Sequence, residues 1–230
     1  MVDVKMQHAS DLAHHVRQGI AWLSASAEGT ETAALSYAAL ELRFAIERLA
    51  VHYWATLLNR KARRGDLRDI ESFKRVERRI YALAGHQREI DRHFEFIRII
   101  LRALNVNMQL HTPDIPKLAN YSDQCSRLCH IAWTLASSVH ELRKQAFLSL
   151  TEISNTLKQY VDSLGWPTLK DPSFIKLRDT YVRGEASAAG VLAYIQQHGV
   201  WGSAEFPDGR TKAYRTEAGP TSAIEKPDDA

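Results

Sequence analysis

Apolar residues recur along this chain at the three- and four-residue spacing of one helix face, and almost nowhere at the two-residue spacing of a strand. Leu12, Val16, Ile20 and Leu23 form the first stripe, which predicts a helix over 10–24 with Ser10 as its cap. Glu28, Gly29 and Thr30 break the pattern, and Thr30 is placed to cap a long second helix through 35–58. There Leu42, Ala45, Ile46, Leu49, Tyr53 and Thr56 share a face, with His52 on that face and Arg48 at its border. A third stripe over 67–84 (Leu67, Ile70, Phe73, Val76, Ile80, Leu83) stops at Gly85. A fourth over 87–104 carries Ile90, Phe94, Ile97, Leu101 and Leu104 in one row.

Pro113-Asp114-Ile115-Pro116 is a helix-start signal with Asp114 as cap. From Leu118 one apolar row runs to Leu164, long enough for a rod of roughly 70 Å. A domain of this size seldom holds such a rod, so a bend or break is expected near Ser137-Ser138 or over 149–151. Gly165-Trp166-Pro167 ends the row. Asp171-Pro172 then opens a short helix that Gly184 stops, and 186–197 reads as another that Gly199 stops. Beyond Trp201 the composition turns to Gly, Pro, Thr, Glu, Lys and Asp. That composition predicts a disordered tail, in which Pro207-Asp208-Gly209 can turn a small hairpin. The expected fold is therefore all-α: an antiparallel helical bundle over 8–165, a short helical appendage over 166–202 and a polar tail over 203–230.

Composition narrows the function only a little. With 230 residues, 45% of them apolar, the chain can bury a sizeable core. Its net charge of +3 gives no global argument for nucleic acid. No apolar leader segment is visible, and Arg98 and Arg102 cut the longest apolar run well short of a membrane span. A cytoplasmic protein with no membrane partner is expected. Cys125 and Cys129 read as free, partly buried thiols. His86 and His93 lack a third ligand on their face, so neither a metal nor another cofactor is expected.

Local charge is more suggestive. Residues 60–79 hold nine basic against four acidic side chains, mostly arginine, the cation suited to bidentate phosphate contacts. Arg60, Arg63, Arg64, Arg75, Arg78 and Arg79 are the candidate nucleic-acid contacts, and Arg88, Arg92, Arg98 and Arg102 extend the run. Few aromatic residues accompany them, so no platform for stacking bases is evident. Arg48 with His52, and Arg127 with His130, are candidates to line a polar cleft, the cation binding phosphate and the imidazole moving protons.

The segments ALELRFAIERLAVHYW (39–54) and YSDQCSRLCHIAW (121–133) resemble bacterial HEPN-like helical proteins, among them abortive-infection and toxin–antitoxin relatives. The resemblance is one of pattern and covers roughly residues 10 to 150. It implies an up-and-down bundle, a homodimer and, in many members, a metal-independent ribonuclease with an Arg-x(4–6)-His motif. Arg88 to His93 and Arg79 to His86 both fit that spacing, and the first lies just inside the fourth predicted helix. By resemblance Arg88 would stabilise the pentavalent phosphate and His93 would act as acid and base at the ribose 2′-hydroxyl. The leading class is a protein that binds or cleaves RNA, in defence or toxin–antitoxin biology; the others are a non-catalytic helical dimer that holds a protein partner and, third, a purely structural intracellular protein.

Overall fold

The computed structural model describes residues 4–58, 78, 81–82, 85–106, 110–129, 140–162, 169, 171–205 and 211–216. Among them are seven helices and one two-stranded sheet, an all-α fold: α1 (Val4–Ala25), α2 (Thr32–Leu58), α3 (Gln87–Ala103), α4 (Ile115–Cys129), α5 (His140–Asp162), α6 (Pro172–Arg183), α7 (Ala188–His198), β1 (Trp201–Glu205) and β2 (Thr211–Arg215). The expected helix over 67–84 lies almost entirely outside the described residues. No described helix is long and apolar enough to cross a membrane. The chain divides into two compact units, one of Met1–Gln87 with Pro113–Trp166, the other of Arg88–Thr112 with Pro167–Ala230.

The first unit is built around α2, which packs against α1, α4 and α5. Small residues make this central place available: Ala38, Ala39 and Ala45 are fully buried beside Leu35, Leu42 and Ile46. Gly19 of α1 lets Leu42 approach so closely that an added Cβ would meet it at 2.8 Å. The helix α1 begins earlier than its apolar stripe predicts, so Ser10 lies within it and not at its start. Thr30 is no cap either. Its hydroxyl donates to the Ala27 carbonyl at 2.9 Å, closing the α1–α2 turn instead. In that turn Ala27, Glu28 and Gly29 all take positive φ, and a Cβ on Gly29 would stand 2.8 Å from the Arg143 carbonyl oxygen of α5. Backbone pressed on backbone in a left-handed conformation is a place for glycine.

Asp114 caps α4 as its sequence predicts, accepting from the Lys117 amide at 2.9 Å. Gln87 steadies the same turn, donating to the Pro113 carbonyl and accepting from the Ile115 amide, both at 2.8 Å. The row from Leu118 onward is not one rod. Tyr121 of α4 donates its hydroxyl hydrogen to Glu152 of α5 at 2.5 Å, whereas 31 residues of straight helix would separate them by ~46 Å. The two helices therefore lie side by side. The bend expected at Ser137-Ser138 falls outside the described residues. The other expected break, over 149–151, does not occur: α5 is continuous there. Thr151 donates to the Phe147 carbonyl at 2.8 Å, so its hydroxyl is satisfied within the helix and does not divert the backbone.

In the second unit Phe96, Ile97, Ile99 and Ile100 of α3 form one core with Phe174 and Tyr181 of α6, Val191 and Ile195 of α7, and Val200. The helix expected in the 8–165 bundle thus supplies the core of the C-terminal unit. Both short helices carry the predicted signals. Asp171 accepts from the Ser173 amide at 2.7 Å with Pro172 in the first turn, and Gly184 ends α6 at φ 84°. Gly199 ends α7 as its sequence predicts, while Ser187, not foreseen as a cap, accepts from the Gly190 amide at 3.2 Å. The tail expected to be disordered from 203 is in part a sheet: β1 and β2 pair antiparallel with Trp201 opposite Arg215 and Glu205 opposite Thr211. Thr216 closes its base, donating its amide to the Val200 carbonyl and accepting the Val200 amide on its hydroxyl, both at 2.8 Å. Residues 217–230 lie outside the described residues.

Candidate functional site

Arg88 and His93 sit five residues apart on α3, which turns the second about 140° from the first. Arg88 is exposed, whereas His93 is only 5% exposed, its ring 5.8 Å from that of Phe94. Burial first, and the Arg178 cation second, together lower the His93 pKa to about 4 against the opposing pull of Asp179. The imidazole is therefore neutral at pH 7 and turned to the interior. One chain does not bring these two residues to one spot. Ile90 and Ile97, three before and four after His93 in a buried row, are the sequence signal for that placement.

The polar residues of α2 are arranged differently from the expectation. Arg48 and His52 are both only half-buried, and His52 faces the Tyr53 ring at 6.4 Å. The deeply buried cation is Arg43, 5% exposed, whose Nε donates to Glu47 Oε1 at 3.2 Å. The Cys129 thiol also bonds Arg43, yet burial holds its pKa up, and burial raises the Cys125 thiol too. Both cysteines are free thiols, and raised pKa values make them poor nucleophiles. A single-stripe reading of α2 misses Arg43, because a central helix is covered on more than one side.

Arg127 is exposed and pairs with Asp123 one turn earlier on α4. Arg78 is exposed. Arg60, Arg63, Arg64, Arg75, Arg79 and His130 lie outside the described residues, so the basic run and the cleft partner expected of His130 have no geometry here.

The second unit gathers the arginines at the other end of that run. Arg92, Arg98 and Arg102 line a cavity of about 530 Å³ with Asp91, Glu95, Ile99, Thr112 and Ala188. Arg98 donates to the Leu110 carbonyl at 3.0 Å and to the Thr112 hydroxyl. The Arg92 guanidinium lies 5.1 Å above the Tyr181 ring, and Gly184 leaves it room, since a Cβ there would stand 3.4 Å from Nη1. Burial raises the Tyr181 pKa, and its hydrogen bond to Glu95 raises it further. Arg92 and Arg98 thus shape the wall, while Arg102 stands exposed in the last turn of α3. Sequence reasoning placed these arginines only as an extension of the 60–79 run. Their spacing along one helix was the available signal for a shared wall. Chemically the cavity offers guanidinium groups to an anion, tempered by two carboxylates.

Among the described residues no group of three or more His, Cys, Asp and Glu side chains could hold a metal ion. No family model, curated protein or solved structure matches this chain. Its class is thus defined by the fold alone, as an all-α protein.

Proposed function

We propose that this chain is a HEPN-like helical protein that acts by holding RNA, in the defence or toxin–antitoxin setting its resemblance implies, and that the Arg88–His93 pair does not cleave the strand. One observation supports this reading above others: α3 presents Arg88 and Arg102 to solvent while it buries His93. Exposed guanidinium groups serve phosphate contacts. A neutral imidazole in the interior has no path to a ribose hydroxyl.

The test uses the purified protein with total RNA in EDTA, and with a labelled single-stranded RNA across a salt series. Intact RNA, together with retention that weakens as salt rises, is expected. Arg88→Ala with Arg102→Ala should flatten the salt dependence by about 0.7 in log–log slope per lost contact. Cleavage in EDTA that disappears in Arg88→Ala and in a folded His93→Asn would restore the nuclease. A second reading is favoured by the exposed rings of Trp22 on α1 and Tyr37 on α2, 4.9 Å apart beside exposed Leu40, which suit a protein partner or a second copy. Light scattering that reports a dimer lost in Tyr37→Glu, without RNA retention, would select it.

A further inference from the structure

The second unit separates its charges along α3 in a way that retention of an RNA backbone does not require. The acids of this helix, Glu89, Asp91 and Glu95, all lie in its first half. From Phe96 to Pro113 the chain holds no Asp or Glu, and its only Lys or Arg residues are Arg98 and Arg102. Spacing four sets these two guanidinium groups on one helix edge, about 6 Å apart along the axis. Like charges at that spacing repel unless an anion bridges them. The carboxylates that share the cavity are poorly placed to do so. Glu95 bonds the Tyr181 hydroxyl. Asp91 stands one turn further back, about 10 Å along the axis from Arg98.

The Arg98–Arg102 end of the cavity also has donors in hand. Arg98 is half-buried and held, its Nη2 donating to the Leu110 carbonyl at 3.0 Å and to the Thr112 hydroxyl. Thr112 accepts there, so its own hydrogen remains to donate. Arg102 is exposed and has no hydrogen-bond or ion-pair partner among the described residues. Exposed Arg102 and Ala188 border the cavity, so solutes reach it. Ala188 is also the first residue of α7, so the positive end of that helix borders the same space. A volume of about 530 Å³ lies within the range of small-ligand sites and holds more than a bare phosphate. A phosphate monoester carries about −1.5 to −2 at neutral pH, which matches two unpaired guanidinium groups better than the single charge of a diester does.

We propose that the Arg98–Arg102 end of this cavity binds a phosphate monoester, with both guanidinium groups on its oxygens and the Thr112 hydroxyl donating to it. The ester is borne by the end of an RNA strand or by a small phosphorylated molecule. Only the first source rests on the RNA reading.

The test is isothermal titration calorimetry of the full chain with adenosine 5′-monophosphate and with adenosine at one ionic strength. Beside it, anisotropy compares a short labelled RNA bearing a phosphate at its 5′ end, at its 3′ end or at neither. The monophosphate is expected to bind and adenosine is not. Arg102→Ala should weaken the monophosphate about tenfold, as the loss of a charge-assisted contact does, and Thr112→Val should weaken it severalfold. Arg17→Ala, which removes an exposed cation of α1 in the other unit, should leave it unchanged. Arg102 is exposed, so circular dichroism of its variant should match the parent. Preference for one phosphorylated end would support the site with RNA as the source, and monophosphate binding with no RNA retained would support it with a small molecule and overturn the RNA reading. Salt-sensitive RNA retention that ignores end phosphates, with no monophosphate bound, would overturn the site and leave the RNA reading in place. Equal binding of adenosine, or an affinity that Arg102→Ala leaves intact, would also overturn the proposal.

Discussion

The helices α2 and α3 carry similar side chains and treat them in opposite ways. On α3 the burial is two-faced: Ile90, Phe94, Ile97 and Ile100 are buried, and Arg88, Glu89, Asp91, Glu95 and Arg102 are exposed. On α2 burial reaches most sides, so that Arg43 is as hidden as Leu49. The difference comes from position. A helix with one packed face sorts its residues by angle, and charge goes outward at no cost. A helix with three packed neighbours has only a narrow outward edge to give, and a charge away from that edge must find its partner inside, as Arg43 finds Glu47.

The sharpest way to break this comparison is to remove that partner. Glu47→Ala leaves the Arg43 guanidinium in the core without its carboxylate, and the expected loss is about 3 kcal/mol in urea-induced unfolding. Arg43→Met with Glu47→Leu should recover most of that loss, because an apolar pair of similar volume needs no desolvated charge. A single substitution that costs less than ~1 kcal/mol would mean that Arg43 reaches water, and α2 would then be no different from α3.

What the sequence makes legible follows the same division. Two-faced helices were readable to within a residue or two: the row of Ile90, Phe94 and Ile97 marks the inner side of α3, and Asp114, Asp171 and Gly184 announce the helix ends they form. The buried ion pair of α2 was not readable as such, since spacing four between Arg43 and Glu47 fits a solvated surface pair equally well. The start of α1 at Val4 lies ahead of its apolar stripe, and the continuity of α5 at Thr151 goes with a back-bonded hydroxyl, to which an apolar period is blind. The hairpin was legible only as a possible turn at 207–209, and its strands were not. Its strands are five residues each and mostly small or polar, too short for alternation to stand out. At the candidate site, the identity of the arginines was legible and their wall was not, because Tyr181, Gly184 and Thr112 approach it from distant parts of the chain.

Next in size is a pH effect on the inner face of α3. His93 has a folded-state pKa of about 4 against an ordinary 6.5, so between these values the unfolded chain binds a proton that the folded chain refuses. Stability is unaffected above pH 6.5 and falls as pH drops from 6.5 to 4. The shift corresponds to about 3 kcal/mol across that window. His93→Phe should lack this component, which unfolding curves at pH 7 and pH 4.5 for parent and variant will measure by difference. A parent and variant that lose stability in parallel would place His93 in contact with water, and α3 would lose its sorted faces.

The smallest effect belongs to the outer face. Arg102 shares with Arg43 its chemistry and its place on a long helix, yet it stands exposed in the last turn of α3, where a cation meets the helix's negative end. Arg102→Ala removes that contact and little else, so its cost in unfolding free energy should stay within about 0.5 kcal/mol. The same substitution should lower RNA retention and its salt dependence, since a guanidinium that does no structural work is free to meet a phosphate. A destabilisation of Arg102→Ala comparable to that of Glu47→Ala would mean that the cavity wall is a structural network, and the anion-binding role given to it would have to pass to Arg88 alone.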